Sequence, residues 1–426
     1  MLQLVNVGHK SLADYASIAS RGLMTELHRL AEPLRGKRVV HLSATAFGGG
    51  VAEINYALVP LMADIGLDVE WRIIQGDDEF FGVTKTIHNA MQGDPKGLTQ
   101  QQEAIFRRYN ELNAEEFEDE YDFVIVHDPQ PAAMIGHFPD TTAHWIWRCH
   151  IDLSTPNQDV LGFLAPSLER YDAAIFHMKE YVPQDVALRK AIIWPPAIDP
   201  LTPKNMALSA DDAAYVVDQF GIHLDRPLLT QISRFDPWKD PLGVIDAYRL
   251  VRQTHPEVQL ALVGSMAHDD PEGWDYYNRT AAHAAGDPDI FILSNLNNIG
   301  SVEVNAFQVH SAAAIQKSIR EGFGLTVTEA LWKGRPTIGG RAGGIQAQIR
   351  EGETGWLVDS VEECADACRE ILDDPSSAAA RGRRGKEDVR ERFLMPRLLR
   401  DWLTLFNQLD GNDIGESKLE TVGTAA

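Results

Sequence analysis

The most constraining feature of the chain is a break. Between Trp194 and Asn205 the segment WPPAIDPLTPKN carries four prolines in twelve residues, so it can be neither helix interior nor central strand. The same pattern runs on both sides of it. Short β-branched and aromatic runs come first at 38–44 (RVVHLSA), 69–75, 122–128 (DFVIVHD), 144–151 (HWIWRCHI), 173–178 and 191–196. After the break they restart at 228–235 (LLTQISRF), 258–265, 290–295, 312–318, 336–341 and 355–358. Between the first two runs, Val51, Ile54, Leu58, Leu61, Met62 and Ile65 follow the spacing of an amphipathic helix. Strand, helix and strand in some thirty residues make a βαβ unit, whose repetition predicts parallel sheets covered on both faces. The fold class expected is therefore α/β, with two doubly wound Rossmann-like domains, 1–197 and 198–395, facing each other across a cleft. An amphipathic helix at 396–410 is expected to pack back on the first domain, and the polar tail 411–426 to be disordered. A length of 426 residues suits this division.

Charge removes several classes of partner. Lys and Arg number 39 against 62 Asp and Glu, a formal net charge of −23, so nucleic acid and anionic membrane surfaces are disfavoured. The N-terminus MLQLVNVGHKSLADYAS lacks the cationic start and apolar core of a signal peptide, and no apolar run approaches a membrane span. A cytoplasmic enzyme is expected. Cys149, Cys364 and Cys368 are too few for a disulfide framework and lack metal-ligand spacing, so they read as reduced thiols.

Ligands of open α/β sheets bind at carboxyl strand ends, and several such ends are chemically loaded. The first strand runs into Gly48, Gly49 and Gly50 at a helix start, suited to an anion or simply to a tight turn. SRFDPWKDP puts Arg234 and Lys239 on one loop, a pair suited to a diphosphate, although solvated loops carry such charges too. In SIREGFGLTVTEALWKG, Gly322 and Gly324 precede a helix, with Glu321 at its entrance and Glu329 within it. A helix N-terminus can hold phosphate oxygens while a carboxylate accepts from ribose or sugar hydroxyls, yet paired helix glutamates are usually only solvated. HDPQP supplies His127, Asp128 and Gln130, and WRCHIDLS supplies Arg148, His150, Asp152 and Ser154. Polar groups at buried strand ends must be paired, which suits a site, and a satisfied core histidine suits the same pattern. FFGVTKTIHNAMQG adds Lys85, His88 and Asn89. The residues alone imply an enzyme that takes an anionic phosphate ester and reads carbohydrate-like hydroxyls.

At SRFDPWKDP and EGFGLTVTE the chain resembles the retaining glycosyltransferases of family 4, which have the GT-B fold. TAFGGGVAEI, FFGVTKTIHNAMQG, VHDPQPAAMI, WRCHIDLSTPN and VGSMAHDDPEGW narrow the resemblance to the trehalose glycosyltransferring synthases, over about residues 35–405. The retaining trehalose phosphorylases are their neighbours. The resemblance implies transfer of glucose from a nucleoside-diphosphate glucose, UDP- or ADP-glucose, to free glucose, giving α,α-trehalose with retention. It assigns Arg234 and Lys239 to the diphosphate, Glu321 to the donor sugar, and His150 to the sugar near its reacting carbon. Gly49, Gly50, Gly322, Phe323, Gly324, Leu325 and Thr326 would bind the donor through backbone amides. Glu329 would hold the ribose, and Asn295 would lie at the base pocket. Asp128, Gln130, Arg148 and Asp152 would frame the sugars, with Asn89 at the acceptor.

No cofactor is expected, because the donor is itself a substrate. Without a D-x-D motif at a first-domain strand end, no metal site is expected either, and Mg2+ could only stimulate. A homodimer is expected from aromatic segments of the first domain. Two other readings stay open. One is a retaining trehalose phosphorylase, which would need no ribose contact; the other is a two-lobed sugar-binding protein.

Overall fold

Strands form where the sequence turns apolar and β-branched. In the computed structural model, which describes residues 2–118, 120–266, 271–415 and 419–422, there are fourteen among those residues. They are β1 (Gln3–Leu4), β2 (Arg38–Ser43), β3 (Asp68–Ile73), β4 (Phe123–His127), β5 (His144–Arg148), β6 (Ala173–Phe176) and β7 (Ala191–Ile193). Then follow β8 (Leu228–Ile232), β9 (Gln259–Val263), β10 (Ile290–Leu293), β11 (Ala313–Gln316), β12 (Thr337–Gly340), β13 (Trp356–Val358) and β14 (Glu420–Val422). The chain divides into two compact units, Met1–Ala197 with Met395–Ala426, and Ile198–Leu394.

The first unit holds an eight-stranded sheet in the order β1-β3-β2-β4-β5-β6-β7-β14. Its six inner strands are parallel, while β1 and β14 close the edges antiparallel. The second unit holds a wholly parallel sheet, β10-β9-β8-β11-β12-β13. Parallel strands covered on both faces must be apolar along their length, and Val39, Val40, Leu42, Val124 and Ile125 are fully buried. Such connectivity puts the carboxyl ends of the parallel strands on one edge, from which the loops at 44–50, 128–134 and 149–157 emerge in the first unit. Loops 233–240 and 317–324 emerge likewise in the second. Among the described residues no helix is long and apolar enough to cross a membrane.

The helix Met395–Leu409 packs on the first unit through a strongly amphipathic face. Phe406 stacks on Phe123 of β4 at 4.4 Å between ring centroids, and Asn407 donates to the Leu30 carbonyl at 2.8 Å. Its buried Arg397 donates to the carbonyls of Pro195 and Pro196, each at 2.9 Å, and pairs with Asp401 at 2.6 Å. Proline lacks an N–H but keeps its acceptor, so the start of the Pro-rich segment is tied down rather than free. The tail differs from the expectation of disorder. Glu420–Val422 pairs with β7, whose unpaired edge offers the hydrogen bonds that a polar strand needs. Residues 416–418 and 423–426 of that tail lie outside the described residues.

Removing one partner of a buried ion pair strands the other charge. Asp401→Ala should therefore lower the unfolding free energy by about 3 kcal/mol, read as a reduced urea midpoint.

Candidate active site

In the second unit the site is built from two strand ends. After β8, Asp236 accepts from the amides of Trp238 and Lys239 at 2.9 and 3.1 Å and so caps the single turn Pro237–Lys239. That turn aims Lys239 Nζ at Glu321 Oε2, 2.6 Å away. Glu321 follows β11, the parallel neighbour of β8, so the two meet despite 82 residues of separation. The loop is tethered where the Ile319 amide donates to the Trp238 carbonyl at 2.8 Å, and Ser318 Oγ donates to Glu321 Oε2 at 3.2 Å. Lys317 pairs with Asp240, and Arg234, with its side chain 67% exposed, lies 3.5 Å from Asp236.

Gly324 takes φ +84° to start the helix Leu325–Trp332, a left-handed conformation that costs other residues about 1–2 kcal/mol. The amides of Leu325 and Thr326 open that helix and have no acceptor within it. The Phe323 carbonyl accepts from Gln348 Nε2 at 2.5 Å, and Gln348 Oε1 in turn accepts from Thr328 at 2.6 Å. The backbone of Gly322–Gly324 is thus fixed by a buried glutamine that no sequence motif marked. Lys317 and Ser318 were missed as well, although they stand just before Glu321.

Two expected donor-site residues are engaged by protein partners. The Glu329 carboxylate is 0% exposed and paired with Lys204 at 2.9 Å, with Gln308 Nε2 at 3.4 Å. In that arrangement its carboxylate is held by protein partners, which a ribose would have to replace. The Asn295 side chain grips the Met266 backbone, accepting from its amide at 2.7 Å and donating to its carbonyl at 3.0 Å. It latches the ends of β9 and β10 together. Residues 267–270 of VGSMAHDDPEGW lie outside the described residues.

In the first unit the structure brings Asp128 and His150 together. Asp128, at φ +63°, accepts from the His150 amide at 2.7 Å, and burial lifts its carboxyl to about 7 against that hydrogen bond and Arg148. Arg148 itself is 2% exposed and donates through both terminal nitrogens to the Trp194 carbonyl at 3.2 Å. That bond braces the site, and Arg148 lines a small cavity together with His127 and His150. Asp152, 6% exposed, accepts from the Ser154 amide, and the Gln130 carbonyl accepts from Asn110. Asn89 sits on the helix Asp78–Met91, which the Asn157 amide ties to the 149–157 loop through the Ala90 carbonyl. Gly48 and Gly49 are left-handed, at φ +71° and +77°, and the helix Gly49–Asp64 starts there beside Phe47, which is 79% exposed.

The sequence also left unmarked a line of histidines. His41 of β2 and His127 of β4 are 2.9 Å apart between ring nitrogens, and His127 and His150 are 2.8 Å apart. Burial pushes His41 down to about 3 and holds His127 and His150 well below the usual imidazole range, with Arg148 adding repulsion to the latter two.

Among the described residues no group of His, Cys, Asp and Glu is arranged to hold a metal ion. The three cysteines are buried and free.

Comparison with known proteins is consistent with this geometry. Residues 41–183 match the family described as trehalose synthase, N-terminal domain, and residues 216–388 match glycosyl transferases group 1. Among solved structures, sucrose-phosphate synthase from Thermosynechococcus elongatus superposes with a TM-score of 0.68 at 17% identity, covering 88% of this chain and 99% of its own. A UDP-forming α,α-trehalose-phosphate synthase from Burkholderia xenovorans gives 0.70 at 14%, covering 88% and 100%. The fold is GT-B, and the protein is a glycosyltransferase. Trehalose synthases from Rubrobacter xylanophilus and Thermococcus litoralis are 58% and 46% identical to it, covering 96% and 93% of this chain and 100% and 97% of their own. The chain belongs to the trehalose synthase family.

Two outcomes follow from this geometry. A Cβ at position 324 would lie 3.1 Å from Glu321 Cγ. Gly324→Ala should lower stability by about 1–2 kcal/mol and lower kcat by displacing Glu321, as read by calorimetry and initial rates. The second concerns acid. Below pH 6.5 the unfolded chain protonates His41, His127 and His150 while the folded chain does not, so the unfolded state binds more protons and stability falls as pH drops. Asp128 acts oppositely between 3.8 and about 7, since there the folded state keeps its proton. Three groups outweigh one, leaving a loss of up to about 3 kcal/mol per pH unit. The melting temperature should fall from pH 6.5 to 5, and His41→Phe should shallow that slope.

Proposed function

We propose that this chain is a retaining glucosyltransferase that moves glucose from a nucleoside-diphosphate glucose, UDP- or ADP-glucose, to the anomeric hydroxyl of free glucose, forming α,α-trehalose. The observation that carries this reading is the Lys239–Glu321 pair at 2.6 Å. One partner suits a departing phosphate and the other a sugar hydroxyl, so a single donor molecule would present its two ends to that pair. The trehalose synthases at 58% and 46% identity support the product.

In the proposed step the bond from the sugar C1 to the β-phosphate oxygen breaks, and the acceptor oxygen bonds to C1 from the same face. The acceptor proton passes to a departing phosphate oxygen. Arg234 and Lys239 offset the charge growing on that phosphate, assisted by the Leu325 and Thr326 amides. Glu321 accepts from donor hydroxyls and fixes the sugar, and His150 contacts the sugar near C1. Because the leaving group serves as base, two carboxylates at glycosidase spacing are not needed. For Glu329 to hold the ribose, the hydroxyls must replace Lys204 on its carboxylate.

Trehalose phosphorylase from Pleurotus sajor-caju, 29% identical over 83% of this chain and 55% of its own length, makes phosphorolysis the competing reading. A panel of UDP-, ADP- and GDP-glucose with free glucose should release nucleoside diphosphate and trehalose in equal amounts. Rapid phosphorolysis of trehalose with no turnover of any nucleotide sugar would reject the proposal. Lys239→Met should lower kcat on the order of a hundredfold, as expected for loss of a group that stabilises transition-state charge. Acceptor KM should change far less, and Glu329→Ala should raise donor KM.

A further inference from the structure

His41 within β2, His127 at the end of β4 and His150 just after β5 stand side by side on neighbouring strands of the first unit, with their nitrogens in line. His41 Nδ1 meets His127 Nε2 at 2.9 Å, and His127 Nδ1 meets His150 Nε2 at 2.8 Å. The rings lie end to end with their planes within 20° of each other and centroids 5.2 and 5.1 Å apart. A neutral imidazole has one N–H and one lone pair, so two consecutive bonds allow only two settings. Either every N–H points toward His150, or every N–H points toward His41.

His41 selects between them. Its Nε2 is buried without a partner, at the closed end of the line. A buried N–H lacking an acceptor is the rarer orphan, and an unfilled acceptor is better tolerated. Nε2 therefore carries the lone pair and Nδ1 the proton. His41 then donates to His127 Nε2, and His127 Nδ1 donates to His150 Nε2. The His150 proton must sit on Nδ1.

We propose that this ladder holds His150 as the Nδ1–H tautomer, so that the one ring nitrogen outside the ladder is a fixed hydrogen-bond donor toward the sugar. His41 and His127 are then positioning residues acting through His150. The surroundings keep the line neutral. Arg148 runs beside it, the Asp128 carboxylate is occupied by the His150 amide, the His177 ring stands edge-on to His150 at 5.6 Å, and Trp402 stands edge-on to His41 at 5.9 Å. The chemical consequence is a group that donates to a sugar oxygen and does not compete with the leaving phosphate for the acceptor proton. This inference rests on the reading of His150 as a sugar contact, whereas the tautomer itself is measurable without it.

The test is a two-bond 1H–15N correlation spectrum of the full chain labelled with 15N-histidine, at neutral pH. Signals are assigned by their loss in His41→Phe, His127→Phe and His150→Gln. All three rings should appear as Nδ1–H in the wild type. Phenylalanine keeps a flat ring at position 41 but removes its proton donor, so His41→Phe should leave His150 averaging between tautomers. Loss of one oriented hydrogen bond should lower kcat about fivefold with donor KM unchanged. An Nε2–H tautomer at His150 in the wild type overturns the proposal, and that spectrum decides even if the variants do not fold. An unchanged His150 tautomer in both phenylalanine variants overturns it as well. A released tautomer with unaltered kcat supports the lock and rejects the sugar contact instead.

Discussion

Parallel strand order is the constraint on which the rest depends. It sends every carboxyl end of a sheet to one edge, so segments far apart in sequence arrive side by side with no further instruction. β8 and β11 are paired neighbours, and Lys239 and Glu321 lie 2.6 Å apart because of it. β2, β4, β5 and β6 are consecutive in the other sheet, and His41, His127, His150 and His177 line up across it for the same reason. An antiparallel sheet would alternate those ends between two edges and scatter both sets.

The strands were legible because a doubly covered parallel sheet needs uninterrupted apolar runs, and nothing else in the chain looks like them. Each of the twelve runs, six before the Pro-rich break and six after it, became a strand, while the short antiparallel edges β1 and β14 escaped notice. Gln3–Leu4 is too short to show alternation, and Glu420–Val422 becomes a strand only because β7 has an open edge. The Arg234–Lys239 loop and the Glu321–Gly324 turn were legible for a different reason. Their residue types have few uses in combination, and a left-handed glycine at a helix entrance is required by the backbone there.

Buried polar residues near strand ends and helix starts were the least legible, because the sequence shows the group and hides its partner. Arg148, Glu329 and Asn295 all carry chemistry that suits a ligand. Each is instead satisfied by something distant or unmarked: the Trp194 carbonyl, Lys204 on the Pro-rich segment, and the Met266 backbone. Burying a charge without such a partner costs several kcal/mol, so a buried charged group needs one. Whether that partner is protein or substrate depends on tertiary placement. His41 is the converse case. A lone histidine inside RVVHLSA reads as core, and only the neighbouring strand ends reveal it as one end of a hydrogen-bonded line.

The same pairing logic reconciles the proposed anionic donor with a chain of net charge −23. Three cations of the second-unit loops have carboxylate partners: Arg234 lies near Asp236, Lys239 bonds Glu321, and Lys317 pairs with Asp240. A bare basic patch would attract any polyanion by long-range field alone. Matched pairs do not advertise themselves that way. A ligand gains from them only by exchanging partners at short range, giving phosphate to the lysine and hydroxyls to the carboxylate together. A phosphate without the sugar leaves Glu321 unsatisfied, and a sugar without the phosphate competes with Lys239 for that carboxylate. Discrimination for a molecule carrying both groups thus follows from the pairing itself, independently of net charge.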